Sequence, residues 1–251
     1  MRRLGQHFLS DPRILGRIVD AVEVEPGETV LEIGPGKGSL TEVLRARGAH
    51  VIAIEKDSHL AAELEGHGLS VIVGDALKVQ WPRVPKIVGN IPYYITSDIL
   101  LRLFAYYAYF HRIVLMVQKE VAERIAAKPG GKDYGLLSAT AQLYARVEKL
   151  FAVPPGAFTP APRVHSAVVR LTIEPQWERL QVPECEFIEF LKLSFGQKRK
   201  TLVNNLKPRY DAALAQQALK KAGVRADARS ETLTLEKAAA VFRMLRANEL
   251  S

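Results

Sequence analysis

The stretch Thr29-Val30-Leu31-Glu32-Ile33-Gly34-Pro35-Gly36-Lys37-Gly38 decides the fold of this chain. Its first five residues form a mostly apolar run with the length and composition that a buried strand favours. The glycines that follow allow a tight turn in which the backbone approaches a ligand closely. A helical pattern of apolar residues then extends from Ser39 to Arg47. A strand, a glycine-rich turn and a helix in this order predict the start of a βαβ unit.

The same alternation of strands and helices continues on both sides of this stretch. Helical patterns cover residues 10–22, with Ser10 or Asp11 as the N-cap, and later 60–64, 97–103 and 119–127. Apolar runs predict strands at 50–54, 71–73, 87–88, 113–117, 147–153 and 166–173, and we expect the last two to pair as a hairpin. Strands that alternate with helices predict an α/β fold with a doubly wound parallel sheet.

The C-terminal part of the chain has a different pattern. From residue 184 it is helical to the end, with helices expected near 184–195, 197–206, 211–222 and 234–247. The sequence therefore predicts an α/β domain over residues 1–175 and a small all-helical domain over residues 176–251.

The charge of the chain is concentrated in the smaller of these domains. The 251 residues carry 35 basic and 27 acidic side chains, a net charge of +8. Residues 1–175 have 21 basic and 18 acidic side chains (net +3), and residues 176–251 have 14 and 9 (net +5). This excess predicts a polyanionic partner, most simply a nucleic acid. A basic surface without a partner is the alternative.

Several classes of protein are disfavoured by the composition. A single cysteine, Cys185, cannot form an intrachain disulfide, and the six histidines lack the spacing of metal ligands. No apolar segment follows the first residues as in a signal peptide, and the longest apolar run, Tyr94–Phe110, contains Asp98 and Arg102. We therefore expect a cytoplasmic monomer that needs neither a metal nor a membrane.

Polar side chains stand at or just past the ends of three predicted strands: Glu55, Asp75 and Asn90. Ligands of doubly wound sheets bind at this edge, so these residues and the glycine loop are expected to share a site. A carboxylate at Glu55 suits the hydroxyls of a ribose, and one at Asp75 suits an adenine amine. Taken singly, Glu55 is better explained as a solvated charge at a strand end, and Asp75 is equally well explained as a turn residue.

The spacing of the glycine loop distinguishes between two cofactors. A dinucleotide fingerprint is G-x-G-x-x-G, and Ser39 stands where its third glycine would fall. The observed G-x-G-x-G spacing, preceded by Glu32, is typical of enzymes that use S-adenosyl-L-methionine (SAM). Acidic surroundings suit its cationic sulfonium. A plain turn is the alternative.

The turn Gly89–Tyr94 is expected to hold the second reactant. Pro92 fixes its own φ and keeps Ile91 extended, so the chain forms a stiff turn after a short strand. Asn90 offers an amide oxygen and Tyr93 offers a stacking face. This pair suits the amine and ring of a nucleobase.

Eight short motifs together resemble those of the ribosomal RNA adenine N6-dimethyltransferases. They are Gly5–Leu9, Glu32–Gly38, Gly74–Ala76, Asn90–Tyr93, Gln118–Glu120, Asp133–Gly135, Phe158–Val164 and Ser166–Val168. The similarity extends from residue 5 to about residue 245 and is greatest to the small-subunit branch, which dimethylates two adjacent adenosines near the 3′ end of 16S ribosomal RNA. It implies a Rossmann-like, SAM-dependent catalytic domain, an RNA-binding helical domain and a role in ribosome biogenesis.

The resemblance also implies site residues. The residues implied for SAM binding are His7, Leu9, Gly34, Gly36, Glu55, Asp75 and Asn90, of which the first two rest on the resemblance alone. For catalysis it implies Asn90, Pro92, Tyr93 and Phe158. Asn90 and a main-chain carbonyl of the turn would accept hydrogen bonds from the adenine amine, and Tyr93 and Phe158 would stack on the base. For Phe158 a place in the core is the alternative.

Lys198, Arg199 and Lys200 are the residues expected to contact RNA phosphates, in naked small-subunit RNA or in an assembling 30S particle. A solvated helix face is the alternative.

Other functions remain open from the sequence. A large-subunit enzyme of the antibiotic-resistance (Erm) type shares the Asn-Ile-Pro-Tyr motif, and a non-catalytic ribosome-assembly factor would share the fold. The intact set Gly34, Glu55, Asp75 and Asn90 favours an enzyme.

Overall fold

The computed structural model describes residues 7–249, so Gly5 and Gln6 of the first motif lie outside the described residues. The strands of this part are β1 Phe8–Leu9, β2 Thr29–Ile33, β3 His50–Glu55, β4 Ser70–Val73, β5 Lys86–Asn90, β6 Arg112–Gln118, β7 Ala145–Val153, β8 Phe158–Thr159 and β9 Ser166–Ile173. The α-helices are α1 Pro12–Val22, α2 Ser39–Ala46, α3 Ser58–Gly66, α4 Thr96–Ala105, α5 Lys119–Ile125, α6 Leu136–Tyr144, α7 Trp177–Leu180, α8 Glu184–Ser194, α9 Leu202–Leu206, α10 Ala212–Lys221 and α11 Leu235–Glu249.

A seven-stranded sheet in the order β4-β3-β2-β5-β6-β9-β7 organises the fold. The five strands from β4 to β6 are parallel, and β9 pairs with β6 in the antiparallel direction. The α/β fold predicted from the sequence is confirmed, as is the adjacency of the two late strands. The chain passes outward from β2 to β4 and then returns to β5 beside β2. A switch point for ligand binding therefore lies between β2 and β5.

The chain divides into two compact units. The first unit contains the residues up to Ala122 together with Val147–Ile173, and the second contains Glu123–Arg146 together with the residues from Glu174 onward. The segment from Glu123 to Arg146 is thus grouped with the C-terminal helices. The division of functions between residues 1–175 and 176–251 stays a prediction.

Apolar side chains from α1, α2 and the sheet form a core in the first unit. The helix α1 contributes a continuous buried stripe of Ile14, Leu15, Ile18, Val19 and Val22. Asp11 is its N-cap, because the carboxylate accepts hydrogen bonds from the main-chain nitrogens of Arg13 (2.9 Å) and Ile14 (3.3 Å). This resolves the two caps that the sequence left open.

Three local predictions for helices were wrong. The helix expected near 197–206 begins at Leu202, because the Thr201 hydroxyl caps it by accepting from the Asn204 nitrogen at 3.4 Å. The short helix α7 forms at Trp177–Leu180, ahead of residue 184, where the first helix of the C-terminal part was expected. The helix α4 begins at Thr96, one residue before the predicted start at residue 97, because a 3₁₀ turn at Tyr93–Ile95 leads directly into it.

Residues 7–249 contain neither a membrane-spanning helix nor a metal-binding cluster. No helix in this range combines the length and apolar character needed to cross a membrane. The same residues include no group of three His, Cys, Asp or Glu side chains that is placed to hold a metal ion.

Candidate functional site

A cavity of about 280 Å³ lies in the first unit, at the carboxyl ends of β2, β3 and β5. Six of the seven residues predicted to bind the cofactor line it: His7, Leu9, Gly34, Gly36, Glu55 and Asn90. Three residues of the predicted catalytic turn also line it: Asn90, Pro92 and Tyr93. The structure therefore brings most of the predicted site residues to one place, at the switch point of the sheet.

The glycine loop needs its glycines for backbone conformation and for space. Gly34, Gly36 and Gly38 have φ angles of +70°, +58° and +81°, which L residues with a side chain rarely adopt. A Cβ atom added to Gly36 would lie 2.8 Å from two ring atoms of Phe8. The loop thus packs tightly against β1, and its shape depends on both elements.

Glu55 ties the loop to the end of β3. Its side chain is almost fully buried. One carboxylate oxygen accepts from the main-chain nitrogen of Gly36 at 3.1 Å, and the other accepts from that of Asp57 at 2.9 Å. Each oxygen keeps acceptor capacity for a ligand, because a carboxylate offers about four lone-pair positions.

Glu32 is a second buried carboxylate on the cavity wall, with only 2% of its surface exposed. It accepts a hydrogen bond from the Thr41 hydroxyl at 2.6 Å. Burial raises the pKa of the Glu32 carboxyl to about 7; the hydrogen bond from Thr41 opposes this shift and the charge of Glu55 adds to it. A cation in the cavity would favour the ionised form.

The lining of the cavity fits a cationic sulfonium cofactor. Among residues 7–249, two carboxylates line it, no Lys or Arg side chain does, and His7 alone brings a basic group. A pyrophosphate would find no guanidinium or ammonium partner on these walls. A ligand that combines a positive centre with ribose hydroxyls finds acceptors in Glu32 and Glu55.

The amide of Asn90 is oriented by the first strand segment. Its Nδ2 donates to the main-chain carbonyl of His7 at 3.0 Å. This bond determines the orientation of the amide, because a flipped amide would place Asn90 Oδ1 against the His7 carbonyl oxygen, and neither atom can donate. The Oδ1 atom receives no hydrogen bond from any residue between 7 and 249, so it remains available as an acceptor.

The backbone around Asn90 is tightly held. A Cβ atom added to Gly89 would lie 2.7 Å from the carbonyl oxygen of Ile33, so the strands β2 and β5 approach closely here. The nitrogen of Ile91 donates to the carbonyl of Met116 at 3.1 Å. The turn that carries Asn90 and Tyr93 therefore starts from a fixed position.

Tyr93 is anchored by its hydroxyl, which lies 2.7 Å from the Ser166 hydroxyl. Ser166 is fully buried at the start of β9. Breaking this bond would leave a buried hydroxyl without a partner, which is unfavourable. The ring of Tyr93, a lining residue of the cavity, is thus held at both ends.

Two predicted site residues are not among those that line the cavity. Asp75 holds the Lys56 ammonium at 2.9 Å and accepts from the nitrogen of Leu77 at 3.0 Å. The hydrogen bond from Lys56 lowers the pKa of the Asp75 carboxyl. Phe158 is 4% exposed and belongs to the apolar core, paired in register with Leu9. The roles assigned to both residues stay predictions.

The basic residues Lys198, Arg199 and Lys200 lie in an exposed turn of the second unit. Lys198 donates to the carbonyl of Lys132 at 3.1 Å. The buried Asn205 holds the segment that leads into this turn, because its Nδ2 donates to the carbonyls of Ser194 at 2.6 Å and Gln197 at 3.2 Å. Three cations are therefore presented to solvent on a backbone of defined shape.

Several residues of the site could not be assigned a role from the sequence. Thr41 lies on the inner face of α2, where nothing distinguishes it from a core threonine, and Lys56 has no pattern that links it to Asp75. Tyr94 lines the cavity although only its neighbour was assigned a function. Its position directly after the Asn-Ile-Pro-Tyr motif was the one available signal.

Comparisons with known proteins agree with this geometry. The family model described as "Ribosomal RNA adenine dimethylase" matches residues 1–247. A "Ribosomal RNA small subunit methyltransferase A" of Koribacter versatilis is 49% identical over 97% of this chain and 94% of its own length. The protein of the same description from Acidobacterium capsulatum is 47% identical over 97% of this chain and 90% of its own.

Two solved structures are similar over nearly the whole chain. A dimethyladenosine transferase from Plasmodium falciparum superposes with a TM-score of 0.85 at 28% identity, covering 97% of this chain and 98% of its own. The 23S rRNA methyltransferase ErmE has a TM-score of 0.72 at 28% identity, covering 95% of this chain and 99% of its own.

Proposed function

The chain belongs to the ribosomal RNA adenine dimethylase family, and we propose that it dimethylates N6 of two adjacent adenosines near the 3′ end of small-subunit ribosomal RNA. The resemblance inferred from its motifs is confirmed, and so is its assignment as an rRNA methyltransferase. The curated relatives described above carry small-subunit names, which supports the choice of substrate. The single observation that carries the proposal is that Asn90 lines the same cavity as the carboxylates Glu32 and Glu55.

SAM supplies an electrophilic methyl group when it is bound. The glycine loop and Glu55 would hold it, with Glu55 accepting from ribose hydroxyls. His7 and Leu9 would close the cavity from the side of β1. Asn90 borders both the cofactor and the substrate in this proposal. Asp75 would contribute only if its hydrogen bond with Lys56 weakened, so that the carboxylate could accept from the ligand.

The turn would activate the target amine by accepting its hydrogen bonds. The lone pair of an adenine amine is conjugated with the ring, so the amine is a weak nucleophile. Asn90 Oδ1 would accept one N–H, and a main-chain carbonyl would accept the other. The Pro92 carbonyl accepts from the nitrogen of Ile95 at 3.1 Å and from the Thr96 hydroxyl at 3.5 Å, so it would take this role by exchanging the longer of these two bonds for one from the amine. Positioning of this kind accounts for the rate without a strong base.

The rings near the turn would hold the base. Tyr93, anchored through Ser166, offers a fixed face on which a flipped adenine stacks. Phe158 is buried, is paired in register with Leu9 and does not line the cavity, so it would supply the second face only after a movement of β1 or β8. The stack on Tyr93 alone is worth about 1–3 kcal/mol.

The second unit would bind the RNA backbone. The turn Lys198–Lys200 presents its cations to solvent, as phosphate contacts require. The partner in this proposal is small-subunit RNA, free or within an assembling 30S particle. The enzyme would act as a monomer in the cytoplasm, where bacterial subunits assemble.

The test is incubation of the purified protein with labelled SAM and unmethylated ribosomal subunits. We expect label in small subunits and none in large subunits, with dimethyladenosine mapped to two adjacent positions by mass spectrometry. The similarity to ErmE makes the large subunit the second candidate, and label there would support that function instead. Label in neither subunit, with SAM bound in calorimetry, would favour an assembly factor.

A further inference from the structure

Tyr94 differs from its neighbour Tyr93 in exposure and in how its side chain is held. Both line the cavity, but Tyr94 is 65% exposed, whereas the hydroxyl of Tyr93 is held by the buried Ser166. The Tyr94 hydroxyl makes no hydrogen bond to any residue between 7 and 249. Its ring therefore stands at the mouth of the cavity and contributes little to the core.

The backbone beneath Tyr94 is rigid. It lies in the 3₁₀ turn Tyr93–Ile95, which is preceded by Pro92 and runs directly into α4. The Pro92 carbonyl accepts from the nitrogen of Ile95 at 3.1 Å and from the Thr96 hydroxyl at 3.5 Å. A large ring on a fixed turn loses little conformational entropy when a ligand packs on it.

A cation, Lys56, directly follows the lining residue Glu55 in the chain. Lys56 is half exposed and is held by Asp75 at 2.9 Å. The hydrogen bond and charge of Asp75 raise the pKa of the Lys56 ammonium, and Tyr94 adds a smaller contribution because it lies nearby. Since Asp75 already pairs with this ammonium, the exposed aromatic face of Tyr94 is the feature on which a nucleotide base can stack.

We propose that Tyr94 is a stacking platform for the nucleotide that flanks the target adenine. The proposal rests on the proposed function, since it assumes that an adenine enters the cavity. Extruding that adenine breaks its stacking on the neighbouring bases. A ring at the cavity mouth replaces the lost contact, and every base has a face that fits it. Tyr93 then holds the target inside the cavity, and Tyr94 holds its neighbour outside.

The test uses a short RNA hairpin with two adjacent adenosines in its loop. Two further hairpins carry an abasic nucleotide immediately 5′ or 3′ of this pair. Dissociation constants are measured by fluorescence anisotropy for the wild type, Tyr94→Ala and Tyr94→Phe. Tyr109→Ala is the matched control, because Tyr109 is also an exposed tyrosine of the first unit (39%) but does not line the cavity.

We expect Tyr94→Ala to weaken binding of the intact hairpin about tenfold, and Tyr94→Phe and Tyr109→Ala to leave it within about twofold. On one of the abasic hairpins the difference between wild type and Tyr94→Ala should vanish, because the base that stacks is missing. The KM for RNA should rise in Tyr94→Ala while kcat changes little.

Two results would overturn the platform. One is an equal loss for Tyr94→Ala on all three hairpins; the other is unchanged RNA binding with weaker SAM binding in calorimetry, which would make Tyr94 a wall for the cofactor. Failure of the proposed function is separate, because it appears as absent dimethyladenosine in wild-type reactions with small subunits.

Discussion

Asn90 is the side chain whose orientation the structure explains most completely. Its Nδ2 is occupied by the His7 carbonyl and its Oδ1 is free to accept. We expect Asn90→Ala to slow methyl transfer by about 10²–10³-fold, the effect of removing one oriented hydrogen-bonding group at a reacting centre. SAM affinity should fall far less. Single-turnover methylation and calorimetry measure the two effects, and equal losses in both would contradict the orienting role.

Glu32 makes the stability of the protein depend on pH. The folded-state pKa of its carboxyl is raised to about 7 from an ordinary value of 4.5. Between these two values the unfolded chain releases this proton while the folded protein keeps it, so this group lowers the free energy of unfolding as pH rises. The loss begins near the unfolded pKa and is complete above about pH 7.

Glu32→Gln should remove this pH dependence while keeping an acceptor for Thr41. The free energy of unfolding of the variant minus that of the wild type should increase by up to about 3 kcal/mol from pH 5 to pH 8. Urea unfolding at the two pH values, without SAM, measures the difference. A difference between the two proteins that is the same at both pH values would show that Glu32 does not titrate in this range.

At the scale of elements, the sequence correctly predicted those site residues that stand at or next to the end of a strand. Gly34 follows β2, and Glu55 and Asn90 are the last residues of β3 and β5; these strand ends are set by local apolar runs. The ion pair of Asp75 with Lys56 and the burial of Phe158 depend on contacts between distant segments, which no local pattern contains. The start of α9 was misplaced because charged residues with helical spacing precede the true cap, Thr201.

The glycine loop and β1 form one packed element, and Gly36→Ala tests this. Gly36 combines a positive φ with a Phe8 ring that lies 2.8 Å from where an added Cβ would stand. Gly27→Ala is the matched control, since Gly27 has a φ of +83° and no atom of residues 7–249 comes within 4 Å of an added Cβ. We expect the control to lose about 1–2 kcal/mol of stability through backbone strain alone and to bind SAM normally.

Gly36→Ala should lose more stability than the control, and its SAM affinity should fall about tenfold, or about 1.4 kcal/mol. Combining it with Phe8→Leu should recover part of the loss, because the ring that the new methyl group meets is removed. Thermal unfolding and calorimetry measure both quantities. Equal behaviour of Gly36→Ala and Gly27→Ala would mean that contact with β1 does not shape the loop.

At the scale of the whole molecule, most of the net positive charge and the candidate catalytic cavity lie in different parts of the chain. The cavity in the first unit is acidic, whereas residues 176–251 hold +5 of the net charge of +8. An acidic cavity suits a cationic cofactor but repels a polyanion, so the attraction for RNA has to come from elsewhere. The turn Lys198–Lys200 is the densest group of cations in the second unit.

Charge reversal in this turn should weaken RNA binding and leave the cofactor site unchanged. For Arg199→Glu combined with Lys200→Glu, we expect at least about a tenfold loss of affinity. The slope of log affinity against log salt should shrink by about 1.5 for two lost phosphate contacts. SAM binding in calorimetry should not change. Lys220→Glu with Lys221→Glu makes the same charge change at the exposed end of α10 and is the matched control. If both pairs reduce affinity and slope equally, net charge alone attracts the RNA; a smaller effect of the control locates the phosphate contacts in the turn.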